Sequence, residues 1–482
     1  MTDIRPVLFV VGILLTTLAG FMFIPALADA VVGNPDWRVF LASALLTLFI
    51  GVTLVLMNRT GGLRLNIRQT FLLTTLAWVV MAGFAALPFA FAELGLGYAD
   101  AFFESMSGLT TTGSTVIVGL DDAPPGILLW RALLQWQGGI GIIVMAIAVL
   151  PMLGIGGMQL FRAESSDQSE KVLPRAAQLS AVIAIIYVTL TAAAAAAYWG
   201  AGMTVFEAVC HAMTTIATAG FSTTDGSLGQ FDSPAIEWTA TGFMIVGGIP
   251  FILYFQLVRG YGGALWRDAQ VRWFLSIVAV AVLVLTLWLW LFRDAPAETA
   301  FRHAAFNTVS VITGTGYATT DYGAWGGFAV TVLLFLMVVG GCSGSTTGGI
   351  KVFRFQMLYA MLVVQIRRLL QPHGVFVAHY NRKPIDEPVA DAVMSFFLLY
   401  ALSFGLVAVG LAALGLDFIT SMSGAATALA NVGPGLGDTI GPAGTFAPLP
   451  DEAKWLLSGA MLLGRLEFFT VLVLFTSRFW RA

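Results

Sequence analysis

Ala430-Asn431-Val432-Gly433-Pro434-Gly435 is the stretch on which the fold turns. Its residues are small, and a glycine-containing backbone of this kind lines a narrow passage with carbonyl oxygens. One such strand encloses nothing. The rest of the chain has to supply the other members of a ring.

Three other stretches match it when the chain is aligned on Gly113, Gly220, Gly316 and Gly433. They read Thr110-Thr111-Thr112-Gly113-Ser114, Ala217-Thr218-Ala219-Gly220-Phe221 and Thr313-Gly314-Thr315-Gly316-Tyr317. The glycines are 107, 96 and 117 residues apart, the period of an internal repeat. A hydroxyl residue stands six positions before each of them: Ser107, Thr214, Ser310 and Thr427. The enclosing segments, 98–115, 205–223, 301–318 and 418–435, are half-apolar and too short to cross a bilayer. They are expected to be re-entrant, a short helix dipping in and a strand climbing out.

Any one of these loops is explained by small residues packing helices together. Four in one register predict a pseudo-fourfold pore within a single chain. Its lining is expected from Thr111, Thr112, Gly113, Thr218, Ala219, Gly220, Gly314, Thr315, Gly316, Asn431, Val432 and Gly433. A dehydrated potassium ion needs about eight oxygens, which rings of backbone carbonyls supply. Glycine permits the left-handed turn that aims successive carbonyls at one axis. The preceding helix adds its dipole, and the strands carry no carboxylate.

Hydrophobic residues make up 58% of the chain and charged ones 11%, so the soluble classes are excluded. Ten apolar runs predict membrane spans: 6–28, 39–57, 70–91, 127–153, 176–199, 237–258, 274–292, 328–340, 392–414 and 455–475. With the N-terminus in the cytoplasm, 18 of the 24 Lys and Arg fall on inner segments, as the positive-inside rule requires. The same orientation puts 18 of the 27 acids outside. Acids there either concentrate cations at a mouth or simply solvate the outer loops. Cys210 and Cys342 lie in apolar or glycine-rich segments and predict neither a disulfide nor a thiolate site.

The run Gly340-Gly341-Cys342-Ser343-Gly344-Ser345-Thr346-Thr347-Gly348-Gly349 interrupts a span where regular helix is expected. Irregular backbone at that depth faces a cavity, so the run is expected to be a mobile gate beneath the filter. Its likeness to a phosphate loop fails, because Lys351 is displaced and no Ser or Thr follows it. Arg465 is a costly charge within a span. It is expected to bond the gate carbonyls; pairing with Glu467 and snorkelling to the inner face are the alternatives. His211 and His303 are expected to be packed and neutral, and His373 and His379 to lie on the surface of the loop 371–388. No transition-metal site, cofactor, enzymatic constellation or nucleic-acid partner is read from the chain.

Four further stretches carry a resemblance: Gln135-Trp136-Gln137-Gly138-Gly139-Ile140-Gly141-Ile142, Met158-Gln159-Leu160-Phe161-Arg162-Ala163-Glu164, Gly340 to Lys351, and Gly464-Arg465-Leu466-Glu467. Together with the loops, over nearly the whole chain, they resemble the TrkH/KtrB superfamily of potassium transporters, in its TrkH branch. The resemblance implies an all-α polytopic membrane protein of four M1–pore helix–M2 repeats, with pseudo-fourfold symmetry and an N-terminal two-helix hairpin. The expected divisions are 1–69 for the hairpin, then 70–162, 163–268, 269–371 with the gate, and 372–482. It further implies a homodimer in a bacterial cytoplasmic (inner) membrane and a separate TrkA-type ring of nucleotide-binding subunits on the cytosolic side. All four filter glycines are present, whereas sodium-favouring members often carry serine at one of them. The expected function is therefore gated potassium uptake driven by membrane potential. The alternative is a symporter coupled to sodium or protons, for which Glu467 is the one partial relay candidate.

Overall fold

The computed structural model describes residues 3–59, 65–148, 172–381 and 383–481. The Met158–Glu164 stretch, the end of the fourth expected span and the expected division at 162 lie outside them. Among the described residues seven helices are long and apolar enough to cross a membrane, and two further spans are sharply bent pairs. The fold is a multi-pass helical bundle, and the one sheet among the described residues is a two-stranded turn, His379–Tyr380 with Lys383–Pro384. His373 and His379 are exposed on that loop, as expected.

Arg5–Val32 and Trp37–Met57 form the N-terminal hairpin. Four units follow, each a long helix, a short helix and a second long helix. The first helices are Ile67–Ala85, Val172–Gly200, Ala269–Phe292 and Glu387–Ala413. The short helices are Tyr98–Leu109, Val205–Ile216, Ala297–Thr313 and Phe418–Ala430. They occupy the four expected re-entrant segments. Capping fixes where two of them start: Thr204 and Glu207 form a capping box, and the Asp417 carboxylate accepts the amide of Thr420. From Ala101 to Leu109, and again from Thr420 to Ala430 except at Met422, these helices are buried inside protein. Their C-terminal ends, the negative poles of their dipoles, point at the candidate strands.

The second long helices differ from one unit to the next. Pro125–Ala148 is continuous. In the second unit Pro234–Gly247 and Phe251–Val258 meet at 90°. In the third, Gly327–Val339 and Val352–Leu370 are separated by the glycine-rich run. In the fourth, Asp451–Arg465 and Phe468–Phe475 meet at 114°. The expectation of continuous spans over 237–258 and 455–475 is therefore corrected. Pro250 lacks an N–H, so the helix cannot pass it intact. The carbonyls freed at Gly247 and Gly248 accept instead from the amides of Thr346, at 3.4 Å, and Cys342, at 3.1 Å. At the other break Glu467 has φ +63°, a left-handed backbone that ends the helix after Leu466.

Candidate functional site

The four strands begin with one turn geometry. In each, the residue two before the glycine is left-handed: Thr111 (φ +53°), Thr218 (+48°), Gly314 (+71°) and Asn431 (+55°). The next amide then reaches back to the carbonyl of the hydroxyl residue singled out by spacing. Thr112 bonds Ser107 at 2.8 Å, Ala219 bonds Thr214 at 2.9 Å, Thr315 bonds Ser310 at 2.9 Å and Val432 bonds Thr427 at 3.1 Å. This is the six-to-one closure of a Schellman motif, which stops a helix and turns the chain sharply. The period-six hydroxyl thus marks the last turn of each short helix, third-last in Tyr98–Leu109 and Val205–Ile216 and fourth-last in Ala297–Thr313 and Phe418–Ala430.

The glycines themselves close the ring. A Cβ at Gly113 would overlap the carbonyl oxygen of Ala219, at Gly220 that of Thr315, and at Gly316 that of Val432. At Gly433 it would lie 2.9 Å from the carbonyl oxygen of Thr112. Each contact runs from one unit to the next, and the fourth returns to the first. All four glycines have φ between +76° and +109°, so both conformation and space require glycine there.

The carbonyls of this ring lack partners. Among the described residues no protein donor reaches the carbonyl of Thr111, Thr112, Gly113, Thr218, Gly220, Gly314, Thr315, Gly316, Asn431 or Val432. Only two of the twelve expected lining residues have theirs engaged: Gln135 Nε2 donates to Ala219 at 2.6 Å and Ser114 Oγ to Gly433 at 2.7 Å. An orphan buried carbonyl costs about 1–3 kcal/mol, and native interiors hold few. Ten gathered in one ring are the kind of ligand set that coordinates a dehydrated cation.

Above the ring, the Glu104–Arg131 ion pair is buried at 2.8 Å. Glu104 also accepts from Val116 N–H at 2.9 Å, and Arg131 donates to the Ser222 carbonyl at 2.6 Å. The pair therefore clamps the strands leaving the first and second glycines. Below the ring, the run 340–349 is held rather than free. Besides its bonds to Gly247 and Gly248, its Gly344 carbonyl accepts from Phe251 N–H at 2.9 Å. Ser343 N–H donates to Gln270 at 2.9 Å, and the Ser345 and Thr347 hydroxyls bond each other at 2.8 Å. Gly340 and Gly341 lead into it, Gly349 packs back on Gly340, and Gly348 lies against the Ala430 carbonyl.

Thr346 joins this run to the ring, because Thr218 Oγ1 donates to its hydroxyl at 3.0 Å. The Thr346 carbonyl in turn accepts from Arg465 Nη1 at 2.9 Å, while Arg465 Nε and Nη2 are buried and have no partner among the described residues. Glu467 pairs not with Arg465 but with Arg354, at 2.6 Å.

The profile of the TrkH family, described as a cation transport protein, matches residues 37–481. The chain belongs to this family. It is 47% identical over 477 residues to the Trk system potassium uptake protein TrkI of Halomonas elongata, covering 99% of this chain and 97% of that one. It is 40% identical to the Trk system potassium uptake protein TrkH of Escherichia coli, with 99% of each chain covered. The crystal structure of the potassium transporter TrkH from Vibrio parahaemolyticus superposes with a TM-score of 0.92 at 39% identity, covering 100% of both chains.

In this TrkH-family chain the structure brings the twelve expected ring residues together and packs the loop against them through Thr346 and Gly348, with Arg465 bonded to Thr346. Gln135, Glu104, Arg131 and Ser114 were not foreseen as site residues. Of these, Glu104 and Arg131 left a signal as opposite charges in largely apolar segments, while Gln135 and Ser114 stand in stretches that the repeat and the resemblance already mark. His211 is buried, with Nδ1 at 2.9 Å from the Glu207 carbonyl and Nε2 at 3.1 Å from Ser222 Oγ. Among the described residues no group of His, Cys, Asp and Glu gathers to hold a metal ion, and both cysteines are free and buried.

Proposed function

We infer that this protein takes up potassium through a selective, gated pore, driven inward by membrane potential. The observation that carries the reading is the closed ring of carbonyls without donors. Four helix C-termini face it, and their partial negative charge favours a cation. Potassium is favoured by the four glycines and by the names of the relatives, all potassium uptake proteins. Below the ring, the loop 340–349 acts as the gate, and Arg465 holds it closed while placing a positive charge on the ion's path.

Of the two competing symporters, sodium-coupled and proton-coupled, the proton-coupled one would need a titrating relay. Glu467, its one carboxylate candidate, is already held by Arg354. In the same reading the N-terminus is cytoplasmic, the membrane is the bacterial inner membrane and two copies associate. A separate nucleotide-binding ring docks where Arg259, Arg267, Arg272, Arg367 and Arg368 are exposed. The decisive experiment is the reversal potential of the purified chain in planar bilayers. Tracking potassium alone supports a channel; a shift with pH, or with sodium beyond what sodium conductance accounts for, at fixed potassium points to coupling and overturns it.

A further inference from the structure

The residue directly after each ring glycine reaches one unit backward, opposite to the glycine contacts. Ser114 donates to the Gly433 carbonyl in the fourth unit. Phe221 lies under the Arg131 guanidinium of the first, 4.0 Å from ring centroid to Cζ. Pro434 packs against Gly316 of the third. Tyr317 reaches the short helix of the second, where its hydroxyl meets the Thr214 hydroxyl and also lies 3.2 Å from Thr215 Oγ1. Each strand is thus tied on both sides, by four chemically different contacts.

Tyr317 is the most constrained of the four. Its side chain is fully buried, and its own carbonyl accepts from Ser310 Oγ at 2.6 Å. Thr215 is fixed from the other side by the Tyr198 hydroxyl at 2.8 Å. The result is a buried hydroxyl network joining the third strand to the second short helix. We propose that Tyr317 is a positioning residue for ion discrimination: its phenol is a strut that sets the spacing of the second and third strands. A smaller cation is bound well only if the carbonyl cage contracts, and a strut anchored in a buried network resists that contraction. The proposal rests on the pore reading above.

Tyr317→Phe isolates the strut, because it removes one oxygen and leaves no partner stranded. Thr214 Oγ1 keeps the carbonyls of Cys210 and His211, each at 3.2 Å, and Thr215 keeps Tyr198. The full-length chain in liposomes is assayed for potassium and sodium flux beside Tyr317→Phe, Thr214→Val, the double variant and Gly433→Ser. Potassium-over-sodium discrimination should fall about fivefold in Tyr317→Phe, the factor matching one ordinary net hydrogen bond. Potassium flux and thermal unfolding midpoint should stay near wild type, and the double variant should discriminate no worse than Tyr317→Phe. Unchanged discrimination in Tyr317→Phe beside a loss in Gly433→Ser refutes the strut and leaves the ring standing. No change in either variant removes the ring reading and the proposal with it. A fall that appears only alongside a collapse of the unfolding midpoint assigns Tyr317 a merely structural role and also overturns the proposal.

Discussion

The ring and the layer beneath it are built from the same four units by opposite rules. In the ring, residues as different as Thr111, Thr218, Gly314 and Asn431 adopt one backbone conformation, and every glycine meets the same carbonyl of the next unit. Beneath it, the second long helices share no conformation: one runs straight, one bends at Pro250, one dissolves into a loop and one turns at Glu467. Symmetry survives where all four units must present the same atom to one axis. It is lost in the layer that the proposed function makes the gate, since four copies of a plug cannot occupy one place. Breaking the two layers separately is the test of this division.

The largest effect is expected in the ring. Gly220→Ala puts a Cβ into the Thr315 carbonyl and forces a left-handed alanine. Overpacking of about 1–3 kcal/mol then adds to about 1–2 kcal/mol of backbone strain. Potassium flux should drop about thirtyfold or more by the same sum. Gly119→Ala is the matched control, because Gly119 has the same sign of φ, at +80°, but open space around it. It should show the strain as a lower unfolding midpoint and keep its flux; equal losses in both would mean that ring closure adds nothing.

Beneath the ring, two buried arginines separate fold from gate. Arg354→Met leaves Glu467 buried without its ion partner and should cost about 3–5 kcal/mol of stability. Most of that should return in Arg354→Met/Glu467→Leu, read as the unfolding midpoint in detergent. Arg465→Gln instead weakens one charge-assisted bond to Thr346. A bond of that kind is worth about 1.5–3 kcal/mol, so potassium leak without any regulator should rise at least about tenfold. Leak at wild-type level would remove Arg465 from the gate.

What the sequence made legible follows this division. Register repeats wherever the backbone repeats, so Ser107, Thr214, Ser310 and Thr427 were visible as a spacing before their carbonyls were seen to close each turn. The loop 340–349 was visible because five of its ten residues are glycine. The bend in the second unit left a breaker signal, Gly247-Gly248-Ile249-Pro250, overshadowed by the hydropathy of the flanking residues. The bend at Leu466-Glu467 left a weaker one, Gly464 two positions before it, and the Glu467 carboxylate there is held by Arg354, 113 positions away in sequence. Gln135 holding the Ala219 carbonyl across 84 positions is of the same kind. Contacts made by tertiary structure alone have no local pattern to betray them.

The smallest effect is expected where the two layers touch. Gly314 is the only glycine among the four left-handed residues that open the strands, so Asn431→Gly makes the fourth strand resemble the third. The substitution removes two bonds from Asn431 Nδ2, to Thr112 Oγ1 at 2.9 Å and to the Met461 carbonyl at 3.0 Å. It also removes a buried Oδ1 that has no donor, and it relaxes the left-handed backbone. Two neutral bonds at about 0.5–1.5 kcal/mol each are thus offset by an orphan acceptor worth about 1–3 kcal/mol. Stability should therefore change by less than about 1 kcal/mol. Ion discrimination, set by the ring, should hold within about twofold, the smallest step one weak bond makes. The leak should respond instead, because the Met461 bond ties the fourth strand to the helix that carries Arg465. A loss of discrimination as large as that of a ring glycine, with no change in leak, would show that the fourth strand is fixed by Asn431 itself and not by its place in the ring.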